Sequence, residues 1–547
     1  MRKKLVIVIL FLILLLFIYN NDKKISIKNR NKEYEYTIGK DKLPFSDEEI
    51  YNQLFDLNNI ISVSIDIPEI EIKKMQSDFE ENENTPIYRM ANLKISIETP
   101  DQKKYSYYID EIGIRLKGNK SKGNIYNEQK GIQNLNHFKI KINETFDDVK
   151  DGYLENEYYI DESGKSTLSE EGKNIRKNRT FANMEKIDLK WNRNFDTTFI
   201  REIYAFKLFR ENKIAAPNIG LATMNINIKE NEKNSEYLGV YTIHEVIDKK
   251  FIDNNLLNDN NEYLINKNAD YKDKDLYKAK WSNINGFWIG ANLTKDSSYG
   301  IEDDFNQKSY NYNLKTNKKK SDFSSIKNLI DGINNVNSKE DIEKYVDINY
   351  FIKFAAVSYV TGNVDDIKNN YNNYYLYFYN DNDVEKMIII PYDYDISFGI
   401  NLNNQISLND YKDPVSNYTY YYLKQENPLY NYTIGEDGYF LEEYKKALKE
   451  VINSDLLNIK KFKKDYDIAK KNYSDKTTLY KNFDNILTIR STPNLEKDSF
   501  YFTLDETNDI KKLNTTNVKD TNMNLNVENY FDFINKKVNK ILKWLLN

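Results

Sequence analysis

The chain has 547 residues, with 79 basic against 84 acidic side chains and a formal net charge of −5. It is long enough for a large core of two or three subdomains and has no basic field that would mark a nucleic-acid binder. Cysteine is absent and His137 and His244 are the only imidazoles, which excludes disulfides and thiolate nucleophiles and argues against His-cluster metal sites and His-based triads.

Met1-Arg2-Lys3-Lys4 followed by the apolar run Leu5 to Tyr19 has the form of an export signal. No small-residue cleavage site follows it, and the run is short for a spanning helix, so residues 1–22 read either as a cleaved signal or as a single N-terminal membrane anchor. In both cases the remainder is exported, to the cell envelope or beyond. Residues 23–47 are polar and charged and read as a tether.

Residues 48–265 read as β-rich. Ile60 to Ile67, Asn92 to Ile97 and Ile112 to Leu116 alternate apolar and polar residues, the pattern of half-buried antiparallel strands. The third strand runs into Gly118-Asn119-Lys120-Ser121-Lys122-Gly123. With Arg115 and Lys117 ahead of it, this segment is either a plain hairpin turn or a loop that cradles phosphate, with Ser121 contributing a hydroxyl.

In Phe138 to Asn143, Lys139 and Lys141 share the face opposite Phe138, Ile140 and Ile142. His137 reads as a packing residue. After the strand Ile187 to Asn192, Asp196-Thr197-Thr198 offers caps for a helix over Phe199 to Arg210, with Ile200, Ile203, Phe206 and Phe209 as its buried stripe and Glu202 near the stripe's edge. Ala222 to Ile228 and Leu238 to Glu245 form a further β pair around the charged loop Lys229 to Glu236. Glu245, at the end of that pair, reads either as a base or hinge contact for a nucleotide or as a structural partner of Lys249 or Lys250.

Residues 266–430 carry the most distinctive stretch. Phe323 to Val336 and Lys339 to Val360 read as amphipathic helices, the second cut by Asp347. Gly362-Asn363-Val364-Asp365 then leads through an Asn-rich loop to the strands Tyr374 to Tyr379 and Met387 to Ile390, joined by the turn Asn380-Asp381-Asn382-Asp383. The hairpin predicts that Asp365, Asn373, Asp393 and Asp395 converge. Three acids and an amide crowded together call for a hard cation such as Mg²⁺, Mn²⁺ or Ca²⁺. Leu408 to Tyr432 reads as Tyr- and Asn-rich loop. In the extension 431–547, Phe440 to Asn472 and Val527 to Leu546 are helical, and no heptad persists.

Asn363-Val364-Asp365, Asn373-Tyr374-Tyr375-Leu376-Tyr377 and Pro391-Tyr392-Asp393-Tyr394-Asp395-Ile396-Ser397-Phe398-Gly399 resemble the signature of the spore coat protein H (CotH) kinase family, usually N-W-D, H-N-Y-Y-L-Y and P-W-D-x-D-x-T/S-F-G. Asn372 stands where the family often has His, and Tyr392 where it has Trp. Asp196 to Phe209 resembles the family's D-x-S-x-L-R-E-x-L-A-x-x-L-F, with Arg201-Glu202 at its R-E, and the matches run over Ile60 to Gly399.

The resemblance implies an α+β, two-lobed, atypical protein-kinase-like fold with a β-rich N-terminal lobe and a mainly helical C-terminal lobe. It further implies an ATP- and Mg²⁺- or Mn²⁺-dependent kinase acting on Ser/Thr hydroxyls of spore-coat or envelope proteins, and the chain is expected to be a monomer. Carried over by motif, Lys141 contacts the phosphates with Lys139 in reserve, and Glu202 orients the lysine. Asp365 is the base, with Asp366 and Asn370 as substitutes; Asp393 holds the metal, with Asn373 and Asp395 as second ligands. Arg115, Lys117, Ser121 and Glu245 complete the nucleotide site. Two rival readings remain, a non-catalytic surface or coat module and a metal-dependent glycosyltransferase built on Asp393-Tyr394-Asp395, although no βαβ pattern lies upstream of that motif.

Overall fold

The computed structural model describes residues 32–118, 122–192, 196, 198–229, 235–256, 265, 268–284, 287–295, 311–402, 413–415, 427–476, 525–527 and 530–546. The predicted export run, Ser121, most of the loop after Lys229 and most of the Tyr-rich stretch after Leu408 lie outside these residues. None of the described helices is long and apolar enough to cross a membrane. Helices and sheets both contribute, and the fold is α+β.

Eight strands form the larger sheet: β1 (Glu33–Thr37), β2 (Ile60–Ile67), β3 (Arg89–Glu98), β4 (Lys104–Lys117), β5 (His137–Lys141), β6 (Lys186–Trp191), β7 (Ile219–Ile228) and β8 (Ser235–Glu245). Their order is β1-β4-β3-β2-β7-β8-β6-β5, and β5 pairs back onto β4, so seven of the strands close a ring. The long β4 makes this closure, lying along β3 as far as Ile114 and along β5 from Gly113 to Lys117. Alternation sets the faces: Ile61, Val63, Ile65 and Ile67 of β2 are buried and the residues between them are not. Among the described strands, pairing is antiparallel except for β1 with β4 and β2 with β7.

One segment departs from expectation. Glu33–Thr37, within the predicted tether, forms an edge strand on β4. Its alternating Tyr34 and Tyr36 stack on Tyr105 and Tyr107, with ring centroids 5.2 and 5.9 Å apart. Two aromatic pairs on one strand face supply the apolar burial that its charged neighbours cannot.

The smaller sheet orders β9 (Leu276–Ala279), β10 (Tyr312–Leu314), β11 (Tyr374–Asp381) and β12 (Val384–Pro391) as β10-β9-β11-β12. Its hairpin turns tighter than predicted: Asp381 pairs with Val384, leaving Asn382 and Asp383 as a two-residue loop at φ 48° and 65°. That geometry is the primed turn, and Asn and Asp tolerate it best after glycine.

Helices α1 (Asp47–Leu54), α2 (Glu69–Glu81), α3 (Arg201–Glu211), α4 (Ser324–Ile333), α5 (Ile348–Thr361), α6 (Leu441–Ile452), α7 (Ile459–Tyr473) and α8 (Tyr530–Leu545) pack around the sheets. Asp347 separates α5 from the short helix before it by capping α5, accepting from the Tyr350 N–H at 3.1 Å. Where loop was predicted, Pro428–Ile434 is helical, with Pro428 at the first turn and the Asn427 side chain as its cap.

The end of α5 positions the site. Gly362 closes the helix at φ +67°, and a Cβ there would stand 2.5 Å from the Phe533 ring of α8. Glycine is required on both counts, for the left-handed backbone and for the close approach. Beyond the second motif, Ile400–Leu402 pairs with Leu525–Val527, and Phe398 packs on Tyr530 with centroids 5.3 Å apart. The C-terminal residues therefore fasten both ends of the acidic segment.

Candidate active site

Register decides which side chains meet. Lys139 of β5 pairs with Asp188 of β6, Asp188 with His244 of β8, and Lys190 with Thr242, so all five leave the same face of the closed sheet. Helix α3 lies against that face. Its Glu202 accepts from the Lys190 ammonium at 3.1 and 3.3 Å, and both side chains are less than a tenth exposed.

The same ammonium donates to Asp393 and stands 3.5 Å from Asp395 Oδ2. One lysine thus ties a strand, a helix and a motif 203 residues further on. His244 Nε2 is hydrogen-bonded to Thr242 Oγ1 at 2.7 Å and lies 3.7 Å from Glu202. Burial, with Lys190 and Lys117 nearby, holds the imidazole well below its ordinary range, so it stays neutral.

Asp365 and Asn373 meet directly, and Asp393 and Asp395 lie near enough to act on the Asp365 carboxyl. Asn373 Nδ2 donates to Asp365 Oδ2 at 2.8 Å and to the Asp365 carbonyl at 2.9 Å, while Asn370 donates to the other carboxylate oxygen. The Asn373 carbonyl accepts from the Tyr392 N–H at 3.0 Å, which sets the two motif segments side by side. Asn373 and Asp393 both sit at positive φ, 55° and 58°. Such backbone is uncommon for residues other than glycine and recurs where a side chain must be aimed.

Charge is unbalanced at this end. Burial, reinforced by Asp393 and Asp395 and opposed by the two asparagines, pushes the Asp365 carboxyl up to about 7. Burial also raises Glu202, against the opposing pull of Lys190. For Asp393 the effect of burial is overcome by Lys190 and Lys117, and its carboxyl is held well below the usual range. Three carboxylates, Glu202, Asp393 and Asp395, gather about the Lys190 ammonium.

Among the described residues no three acidic or imidazole groups stand close enough to form a closed metal cage. The donors are nonetheless hard oxygens in excess of their counter-charge. Mg²⁺ in nucleotide sites takes only one or two carboxylates, the rest of its shell being water and phosphate oxygen. An open site built on Asp393 and Asp395 fits that requirement.

Lys141 is not the lysine that meets Glu202. It pairs with Glu144 at 2.9 Å and lies over the Tyr88 ring at 5.7 Å. In register it faces Lys186, four residues and therefore about 13 Å along β6 from Lys190. Lys139, the reserve, pairs with Asp188 at 2.9 Å, as does Lys117 at 2.7 Å. Arg115 lies over Tyr88 at 5.2 Å, and Lys122 turns to Asn84. The residue missed by sequence reasoning is Lys190. Its signal was present: Asp188 and Lys190 alternate with Ile187 and Leu189, giving a strand two charged residues on one face directly before the helix that carries Glu202.

Glu245 leaves the opposite face from His244. It accepts from Tyr51 at 2.7 Å, from the Asn218 N–H at 3.3 Å and from Asn255 at 3.0 Å, and pairs with neither Lys249 nor Lys250. Asp366 is also structural in its contacts, accepting from Ser358 Oγ at 2.5 Å and from the Lys368 and Asn369 N–H groups. His137 accepts from the Trp191 N–H at 3.1 Å through Nδ1.

Beyond Lys190, a cleft of about 420 Å³, counted to its open mouth, is lined by Trp191, Asn192, Asp196, Phe199, Val240 and Tyr241 together with Glu202, Thr242 and Asp395. Arg201 braces it, donating to the Phe398 carbonyl at 2.6 Å while its N–H is held by Asp196 at 2.9 Å.

A strand lysine joined to a helix glutamate is a pairing also found in protein kinases. The sequence model of the family described as CotH kinase protein matches residues 165–538, and the chain belongs to that family. The match includes Lys190, Glu202, Asp365, Asn373, Asp393 and Asp395 and reaches into α8, but begins after Arg115, Lys117, Lys139 and Lys141. No curated protein matches the chain.

Proposed function

We propose that the chain is an ATP-dependent protein kinase, with the closed sheet as N-terminal lobe and the four-stranded sheet with its helices as C-terminal lobe. Lys190 binds the phosphates, Glu202 holds Lys190 in place, and Asp393 with Asp395 would carry Mg²⁺ or Mn²⁺, which supplies charge neutralisation when bound. The single observation behind this reading is the Lys190 ammonium shared between Glu202 and Asp393.

Asp365 accepts the proton of a Ser or Thr hydroxyl as the new oxygen–phosphorus bond forms and the bond from the γ-phosphorus to its bridging oxygen breaks, leaving ADP. A carboxyl poised near 7 suits that exchange at neutral pH. The acceptors are spore-coat or envelope proteins, in keeping with the family to which the chain belongs.

Incubation with labelled ATP and Mn²⁺, using the chain and a Ser/Thr-rich acceptor, tests the reading. Label transfer that disappears in Lys190→Ala, Asp365→Asn and Asp393→Asn supports it. Equal transfer in all four proteins, or none in any, refutes it.

A further inference from the structure

A second ionic cluster, rich in lysine, lies beside the acids. Lys117 of β4 and Lys139 of β5 both pair with Asp188, at 2.7 and 2.9 Å. Lys278, from β9 of the other sheet, places its ammonium 4.0 Å from the centre of the Tyr392 ring and 5.7 Å from that of Tyr375. Lys117 lies 5.3 Å from the same Tyr392 ring. Tyr392 is therefore shared by a lysine from each sheet.

Asp188 is the ion-pair partner of Lys117 and Lys139, and the other carboxylate acting on Lys117 and Lys278 is Asp393, which Lys190 already engages. Asp188 is 4 % exposed, Lys117 11 % and Lys139 15 %, so water screens the cluster poorly. Two tyrosine faces offset only part of the charge on Lys278. Burying surplus charge of one sign is costly unless a counter-ion joins it. Burial, with Lys117 and Lys139 close by, lowers the Lys278 ammonium to about 7 against the opposing pull of Asp393 and Asp188.

We propose that Lys117, Lys139 and Lys278 form a subsite for a phosphoryl group of a polyphosphate, distinct from the position held by Lys190. The ligand's other phosphoryl groups extend toward Asp393 and its cation, so the acid-rich and lysine-rich ends hold neighbouring parts of one chain of phosphates. Lys278 is the decisive member because it comes from the other sheet and makes the subsite depend on the approach of the two. The Tyr392 face is occupied by Lys278, so the ring orders ammonium groups and is not a stacking platform for a base. Taking the polyphosphate as the tail of ATP rests on the kinase reading; the anion subsite itself rests on the lysines.

Calorimetric titration in EDTA separates the two ideas. Inorganic tripolyphosphate, ATP and adenosine are each titrated into the full chain, Lys278→Met, Lys139→Gln and Lys141→Gln. The subsite requires tripolyphosphate and ATP to bind the chain and Lys141→Gln alike, and to bind Lys278→Met and Lys139→Gln at least tenfold more weakly, with adenosine unchanged. Equal binding by Lys278→Met and the unaltered chain overturns it, as does the absence of any tripolyphosphate binding. Thermal melting guards against misfolding: without anion Lys278→Met melts no lower than the unaltered chain, because a surplus charge is gone, and it loses the upward shift that tripolyphosphate gives. Melting well below the unaltered chain makes Lys278 a packing residue and overturns the assignment. Polyphosphate binding with this pattern but no label transfer keeps the subsite and rejects the kinase.

Discussion

Glu202 and Glu245 are both buried glutamates against the same pair of strands, and burial raises both. They differ in what surrounds them. Glu245 faces three neutral donors, Tyr51, Asn218 and Asn255, which satisfy it completely and tie α1 to the end of β8. Glu202 shares one ammonium with two aspartates, Asp393 and Asp395. A displaced titration is common to both; an ionic cluster turned toward a cleft belongs to Glu202 alone of the two.

The largest effect expected is on transfer. Lys190→Ala should lower the phosphoryl-transfer rate by about 10³-fold or more, equivalent to about 4 kcal/mol in the barrier, whereas Glu245→Gln should leave it within a few-fold in the same assay. Comparable losses in both variants would erase the distinction between the two glutamates.

Next is the support behind the acidic loop. Phe533 is fully buried against Gly362, and Phe533→Ala should cost about 3 to 4 kcal/mol in denaturant unfolding. Because the ring abuts the turn before Asp365, transfer measured well below the melting temperature should also fall. Unchanged transfer in a protein of that reduced stability would detach α8 from the site.

The third outcome sharpens the account of Glu245. Its folded carboxyl titrates at about 7 against an ordinary 4.5, so the fold favours the protonated form. The stability this contributes is complete below 4.5 and is lost as the pH rises toward 7, amounting to about 3 kcal/mol across that window. Relative to the unaltered chain, Glu245→Gln should therefore unfold with a flatter dependence on pH between 4.5 and 7. An identical slope would place the titration elsewhere. The smallest effect, about 1 kcal/mol, is expected for Asp347→Ala, which removes the cap of α5 at the end remote from Gly362; transfer should not change.

Periodicity carried much of the fold. Ile60 to Ile67 occupies the predicted strand, and the stripe Ile200, Ile203, Phe206 and Phe209 is buried as its spacing implies. The edge strand Glu33–Thr37 was hidden because its burial comes from two tyrosines on a strand 71 residues away, not from its own pattern. In the site, the motif spacing was enough to gather the acids, since Asp365, Asn373 and Asp393 flank a hairpin that is local in sequence.

The lysine could not be read the same way. Lys139, Lys141 and Lys190 all alternate with apolar neighbours, and each is equally credible from its own strand. Which of them reaches Glu202 depends on the register of β5 against β6 and on where α3 crosses, both set by contacts between distant segments.

By itself, then, the sequence determined the local elements, the acidic hairpin and the exclusion of Cys chemistry, because these follow from side-chain type and short-range spacing. Only the tertiary structure decided that Lys190 bridges Glu202 to Asp393 and that Lys278 joins Lys117 and Lys139. Charge balance is a sum over neighbours in space, and strand pairing chooses those neighbours without regard to their separation along the chain.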